Sequence, residues 1–171
     1  PESALKIPDK QKGWNMTIDS FNYIIVGAGT AGCVLANRLS ADPKTSVLLL
    51  EAGGKDNYHW IHIPVGYLYT LGNPRTDWCF KTEVEAGLNG RAIDYARGKV
   101  LGGCSSINGM IYMRGQSRDY DQWRQMGNVG WSWDDVLPYF KKTENRVSGG
   151  DEMHGTEGEW RVEDSRISWE I

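Results

Sequence analysis

Between Phe21 and Gly32 the chain reads FNYIIVGAGTAG, and between Val47 and Gly54 it reads VLLLEAGG. Phe21 to Val26 is short, β-rich and nearly all apolar, which predicts a strand buried on both faces. It runs straight into Gly27-Ala28-Gly29-Thr30-Ala31-Gly32, a G-x-G-x-x-G turn. Ala31, Val34, Leu35 and Leu39 then recur at helical spacing until Asp42-Pro43 closes the helix, and Val47 to Leu50 is a second buried strand. Strand, helix and strand within about 31 residues make a βαβ unit, with parallel strands and a right-handed crossover.

The position of the glycines gives them chemical meaning. Gly27 permits the tight turn, Gly29 has no Cβ to obstruct a pyrophosphate, and Gly32 lets helix and strand pack closely. The helix N-terminus adds N–H groups and the positive end of the helix dipole, worth about 0.3–1 kcal/mol to an anion. Glu51 ends the second strand 19 residues after Gly32, where a carboxylate accepts hydrogen bonds from a ribose and repels a 2′-phosphate, so NADP is disfavoured. The plainer alternative is a tight turn with Glu51 as a solvated strand end. This motif alone does not separate NAD from FAD.

Outward from this unit, Asp56 to Asp94 loses its period and is rich in aromatic, Gly and Pro residues; it reads as a long covering loop with short strands. Ser117 opens a helix carrying Tyr120 and Trp123. Ser132-x-x-Asp135 is a capping-box start for another, with Val136, Leu137 and Phe140 on it and Pro138 expected to kink it. From Ser148 polar and Gly residues dominate, and Trp160-Arg161-Val162 reads as a new strand. Residues 1–15 precede Met16, a candidate initiator, and read as an extension or tag of unassigned role.

Composition excludes several classes. The 171 residues include 21 Gly, about 12 % against a usual ~7 %, without a Gly-X-Y period. Eight Trp and 24 % charged residues argue against disorder, and a net charge of −3 without a basic block argues against a nucleic-acid partner. Cys33, Cys79 and Cys104 include no CxxC pair, which fits a reducing compartment better than a disulfide framework or a zinc set. The longest apolar run, Tyr23 to Ala36, is broken by three Gly and is shorter than the roughly 20 residues a membrane span needs. No secretory signal opens the chain. The expected location is cytoplasmic, with peripheral membrane attachment as the variant. His59 and His62 are spaced like a metal pair, but no third ligand stands near, and two histidines in an aromatic loop is the favoured reading.

A second glycine cluster separates the cofactors. Arg97-Gly98-Lys99-Val100-Leu101-Gly102-Gly103-Cys104-Ser105-Ser106-Ile107-Asn108-Gly109-Met110 combines a Gly pair, small residues and an Asn, a loop able to press its backbone against a flat ligand such as an isoalloxazine ring. The alternative is a helix starting near Ile107 with Ser105 or Ser106 as its N-cap. Taken with Gly27–Gly32, Leu50-Glu51-Ala52-Gly53-Gly54, Arg114-Gly115, Asp119-Tyr120-Asp121-Gln122-Trp123 and His154-Gly155, this run strongly resembles the glucose-methanol-choline (GMC) family of FAD-dependent alcohol oxidoreductases, in its choline-dehydrogenase-like and alcohol-dehydrogenase-like branch. The resemblance runs from about Phe21 to the end of the chain.

The resemblance implies an α/β fold: an incomplete Rossmann-like FAD-binding βαβ domain over 16–147, with the start of an α+β substrate domain at 148–171. It implies that Gly27, Gly29, Thr30 and Ala31 hold the FAD pyrophosphate and that Glu51 and Ala52 sit at the ribose. Arg97, Val100, Leu101, Gly102, Gly103, Asn108, Gly109, Met110 and Ile111 would line the flavin side. Cys104 stands where many members have Ser or Thr, although choline oxidases share Gly-Gly-Cys-Ser-Ser; a small buried residue is the expected role. Ile107 stands where choline oxidases carry the His that bonds the flavin, so FAD is expected to be noncovalent. Ser106 replaces the Cys of the related fatty-acid photodecarboxylases, which counts against that activity.

Family members use a His, paired with His or Asn near the C-terminus, as base while hydride passes to flavin N5. No catalytic residue is assigned among the 171, and His154 matches a structural His-Gly of the family. The expectation is therefore the N-terminal FAD-binding portion of an oxidoreductase acting on a small-molecule alcohol, with a primary alcohol favoured. Its partner would be the C-terminal remainder of the same enzyme, and the isolated chain is expected to be unstable, with strand edges and an apolar face uncovered. An NAD-binding dehydrogenase domain and a noncatalytic nucleotide-binding module remain the alternatives; the first leaves Gly98 to Met110 unexplained.

Overall fold

The structure is a computed structural model and describes residues 20–164. These divide into two compact units, 20–110 and 111–164. The boundary expected at 147/148 falls inside the second.

In the first unit, β1 (Tyr23–Val26) and β2 (Val47–Leu50) pair in parallel, Tyr23 opposite Val47 and Val26 opposite Leu50, with α1 (Thr30–Leu39) between them in sequence. The turn between β1 and α1 has Gly27 at φ +96°, a conformation open to glycine and strained for other residues. A Cβ on Gly32 would strike the Gly27 carbonyl oxygen and reach within 3.4 Å of Ile25 Cγ2, so only glycine lets the first turn of α1 lie against β1.

Burial corrects one expectation. β1 is not covered on both faces: Ile24 is 60 % and Val26 84 % exposed, and Val34 and Leu35 of α1 are also exposed. Among the described residues this sheet has two strands, so no third strand flanks them, and α1 leaves Ile24 and Val26 uncovered. The buried apolar residues of the described chain are few, namely Ala28, Val100 and Ile107.

The stretch read as a covering loop holds short pieces rather than strands alone. Two 3-10 turns (His59–His62 and Pro64–Gly66) lead into a single helical turn, α2 (Tyr67–Thr70), and Trp60 stacks on Tyr69 at 4.2 Å. A two-residue antiparallel ladder follows, β3 (Phe80–Lys81) with β4 (Asp94–Tyr95).

The second unit is built on α3 (Ser117–Gln125) and α4 (Trp133–Thr143). The Gln116 N–H donates to the Asp119 carboxylate at 2.8 Å, so the helix opened by Ser117 is capped from the residue before it. The expected capping box at α4 is present: Ser132 N–H donates to Asp135 Oδ2 (3.0 Å) and Asp135 N–H to Ser132 Oγ (3.4 Å). α4 continues through Pro138 to Thr143. Tyr120 of α3 joins the two helices by ring contacts with Trp133 (5.5 Å) and Phe140 (5.7 Å) of α4. The strand expected at Trp160–Val162 forms (β6) and pairs in parallel with β5 (Glu144–Arg146).

Glu144 is wholly buried at the start of β5 and fastens this unit. Its Oε2 receives Arg114 Nη2 at 2.6 Å and the Gly155 N–H at 2.9 Å, and its Oε1 lies 2.8 Å from His154 Nδ1. Burial acts to raise the carboxyl pKa, but the His154 hydrogen bond, the Gly155 N–H and the Arg114 charge together hold it below its ordinary value.

Candidate functional site

The two glycine clusters, about 70 residues apart in sequence, are in direct backbone contact. Gly102 N–H donates to the Ala28 carbonyl (2.8 Å) and Leu101 N–H to the Gly54 carbonyl (3.0 Å), and Gly29 bridges Gly102 as Gly54 bridges Val100. The approach is close enough to demand glycine: a Cβ on Gly53 would enter the Lys99 carbonyl and the Val100 nitrogen, and one on Gly103 would come within 2.9 Å of Gly29 Cα. Gly102 (φ +89°) and Gly103 (φ +56°) turn the chain back into a 3-10 turn, Gly103–Ser106.

That turn settles the alternative of a helix starting near Ile107, since none begins there. Ser105 and Ser106 donate instead to the carbonyls of Gly102 (2.5 Å) and Leu101 (2.7 Å) and close the turn on itself.

Beside the contact lies a cavity of about 560 Å³. Gly27, Gly29, Glu51, Ala52, Arg97 and Gly103, all expected site residues, form part of its wall; Val26, Leu50, Trp78, Gly98 and Cys104 complete it. Thr30 and Ala31 stand in the first turn of α1, Val100 is buried, and Leu101 and Gly102 carry the backbone link. Asn108, Gly109 and Met110 are exposed and off this wall, with Asn108 Oδ1 accepting the Met110 N–H at 2.8 Å; Ile111 belongs to the second unit.

Glu51 joins the two turns. Its Oε2 accepts the Ala28 N–H and its Oε1 the Gly53 N–H, each at 2.8 Å, so it is not merely a solvated strand end. Each oxygen keeps a lone pair for a further donor.

The residues present fit an elongated ligand carrying a diphosphate. α1 is preceded by Gly29 at its N-cap, with no side-chain cap and no acidic residue in its first turn, which leaves its positive end for an anion. Space is open where a Cβ on Gly27 or Gly29 would stand.

Sequence reasoning missed Asp77 and Trp78. Asp77 is 2 % exposed, and its carboxylate accepts three backbone N–H groups, from Gly72 (2.7 Å), Arg97 (2.9 Å) and Cys79 (3.0 Å). Burial acts to raise its pKa, yet the N–H groups of Cys79, Gly72 and Arg97 hold it below the ordinary value. Trp78 lies parallel to Phe80 (5.7 Å, 4°), with Lys99 Nζ 4.6 Å from its ring centroid. An Asp-Trp pair in an aperiodic loop gives no local signal of either contact.

The profile of the GMC oxidoreductase family matches residues 21–164. The chain belongs to the GMC oxidoreductase family. This GMC chain is 51 % identical over 138 residues to the oxygen-dependent choline dehydrogenase of Vibrio vulnificus (strain YJ016), covering 81 % of the chain and 25 % of that protein. Among solved structures it is similar to pyridoxine 4-oxidase from Mesorbium loti (40 % identity, TM-score 0.76, 83 % of this chain and 28 % of that one). It is also similar to an FAD-dependent oxidoreductase from Chaetomium thermophilum (34 %, TM-score 0.69, 84 % and 26 %). The GMC chain thus spans about a quarter of the length of the curated relatives it matches.

Other singled-out residues of the GMC chain find local partners. Cys104, expected as a small buried residue, is exposed on the cavity wall, with its Sγ accepting the Gly98 N–H at 3.4 Å; the tight Gly98–Gly103 approach turns it outward from the core. His62 donates from Nε2 to the Asp56 carbonyl (2.5 Å), and His59 rests against Tyr58 and Trp60. Among the described residues no three His, Cys, Asp or Glu side chains gather as a metal set, and no helix is long and apolar enough to cross a membrane. The expectations for residues 1–15 and for 165–171 lie outside the described residues.

Proposed function

We propose that this GMC chain supplies the FAD-binding part of an enzyme that oxidises the CH–OH group of a small alcohol. The observation that carries the reading is the interlock of the two glycine clusters around one cavity, because a nicotinamide domain would use only Gly27–Gly32 and Glu51 and leave Gly98–Gly103 without a purpose. Gly27, Gly29, Thr30 and Ala31 hold the pyrophosphate at the uncapped start of α1. Glu51, with Ala52 beside it, receives ribose hydroxyls on its remaining lone pairs. Arg97, Val100, Leu101, Gly102 and Gly103 set the backbone wall on the flavin side, and Asn108, Gly109 and Met110, next in the chain, serve the reactive edge of the ring. FAD supplies a two-electron acceptor for hydride at its N5.

Binding is noncovalent in this reading, because Ile107 offers an aliphatic side chain, itself buried, where a covalent link would need a nucleophile. Choline and pyridoxine, named for two of the relatives, both carry a hydroxymethyl group, which supports a primary alcohol as substrate. The general base and most of the substrate pocket come from a C-terminal remainder, the partner that also covers β1 and α1. Residues 16–147 then belong to the FAD-binding domain and 148–171 open the substrate domain, in a cytoplasmic enzyme. The test is purification of the full-length protein. It should be yellow, acid precipitation should release all its flavin, and it should reduce a dye when given an alcohol; a colourless protein that binds NADH instead would overturn the proposal.

A further inference from the structure

We infer that Asp77 is a positioning residue for the flavin site, holding the wall formed by Trp78, Arg97 and Gly98 in register with the glycine turn at Gly27–Gly29. The inference rests on the reading of the cavity as the FAD site. All three N–H groups on the carboxylate belong to segments that lead into that wall: Gly72 and Cys79 flank it on the covering loop, and Arg97 begins the second glycine cluster. Backbone links extend the same seam, with Trp78 N–H on the Arg97 carbonyl (2.9 Å), Lys99 N–H on the Thr76 carbonyl (2.8 Å) and Asp77 bridging Gly98.

From Gly98 the path to the glycine turn is continuous backbone contact. Gly98 packs on Gly103 and Cys104, and Gly103 packs on Gly29, each at a separation that admits no Cβ. A shift at Asp77 therefore has no side chain to absorb it before it reaches Gly29. Cys79 points the same way: it sits at φ +55°, which L side chains rarely adopt, and its N–H is one of the three that Asp77 holds. Among the described residues its hydrogen-bond donors are backbone N–H groups and no Lys or Arg side chain, so its two oxygens fix backbone.

Asparagine offers a graded substitution. Its single oxygen can keep the Cys79 and Arg97 bonds made by Oδ1, while its NH2 group faces the Gly72 N–H, donor against donor. Alanine removes all three acceptors. The experiment compares wild-type holoenzyme with Asp77→Asn, Asp77→Ala and the surface control Asp94→Asn, reading the FAD dissociation constant, the visible flavin spectrum and the thermal midpoint of each apoprotein. FAD affinity should fall about tenfold in Asp77→Asn and on the order of a hundredfold in Asp77→Ala, with an altered flavin spectrum in both and neither change in Asp94→Asn. If Asp77→Ala does not fold, Asp77→Asn decides. Wild-type affinity and spectrum in the Asp77 variants, even with a lowered thermal midpoint, would overturn the positioning role. Loss of FAD binding by wild type and control alike would instead bring down the cofactor reading.

Discussion

Each unit ties its loops to one buried carboxylate, but the donors differ in kind. In the first unit Asp77 is held by three neutral backbone N–H groups. In the second, Glu144 is held by the Arg114 guanidinium, the His154 ring and one N–H, with Arg114 also lying 5.0 Å from the Phe140 ring centroid. Peptide donors let segments meet backbone to backbone, which suits a wall of glycines around a cavity. Charged side chains span longer gaps and fasten a helix pair to a loop. The first arrangement is accordingly sensitive to added volume and the second to lost charge.

Acid gives the largest expected effect, because it acts on both fasteners together. Both carboxyls have lowered pKa values in the folded chain, so their stabilisation is fully present above the ordinary carboxylate value of roughly 4 and is lost as pH falls through the lower folded values. The urea midpoint of the holoprotein should hold steady near neutrality and fall steeply below about pH 4; a flat profile into strong acid would break the comparison. Next comes Glu144→Ala, which takes the carboxylate from Arg114, a side chain only 9 % exposed, and should cost about 3–5 kcal/mol in urea unfolding. A cost near that of a surface substitution would show that Arg114 finds another partner.

Gly53→Ala probes the first unit by volume alone and should cost about 1–3 kcal/mol and flavin affinity with it. Its neighbour sharpens the point: Gly54 has open space at its Cβ position, so Gly54→Ala should stay within about 0.5 kcal/mol of wild type. Equal costs at the two positions would contradict the backbone interlock. Ser132→Ala, which removes the cap of α4 without touching either carboxylate, should cost about 1 kcal/mol, read by thermal unfolding.

What the sequence disclosed was local. β2 falls at Val47–Leu50 as expected, because an apolar run between turn residues defines its own ends. The α4 cap was legible in Ser132-x-x-Asp135 and β6 in Trp160-Arg161-Val162. Partnerships across the chain were not. The parallel pairing of β6 with Glu144–Arg146 depends on a return of the chain that no period encodes. Asp77 is one carboxylate in a loop until its three donors, one of them 20 residues away, are brought to it. The exposure of Ile24 and Val26 was misread because an apolar strand announces that it needs cover, not where the cover comes from. At the second glycine cluster the Ser pair suggested a helix cap, and the positive φ of Gly102 and Gly103 made a closed turn instead.

Whether the two glycine clusters form one cradle for a single FAD molecule is decided by an experimental density map of the flavin-loaded full-length protein. The expected map holds one FAD with its pyrophosphate against Gly27–Thr30 and its flavin side along Arg97–Gly103. Density for a dinucleotide that touches Gly27–Thr30 while residues 97–110 stand clear of it would rule out a shared cradle.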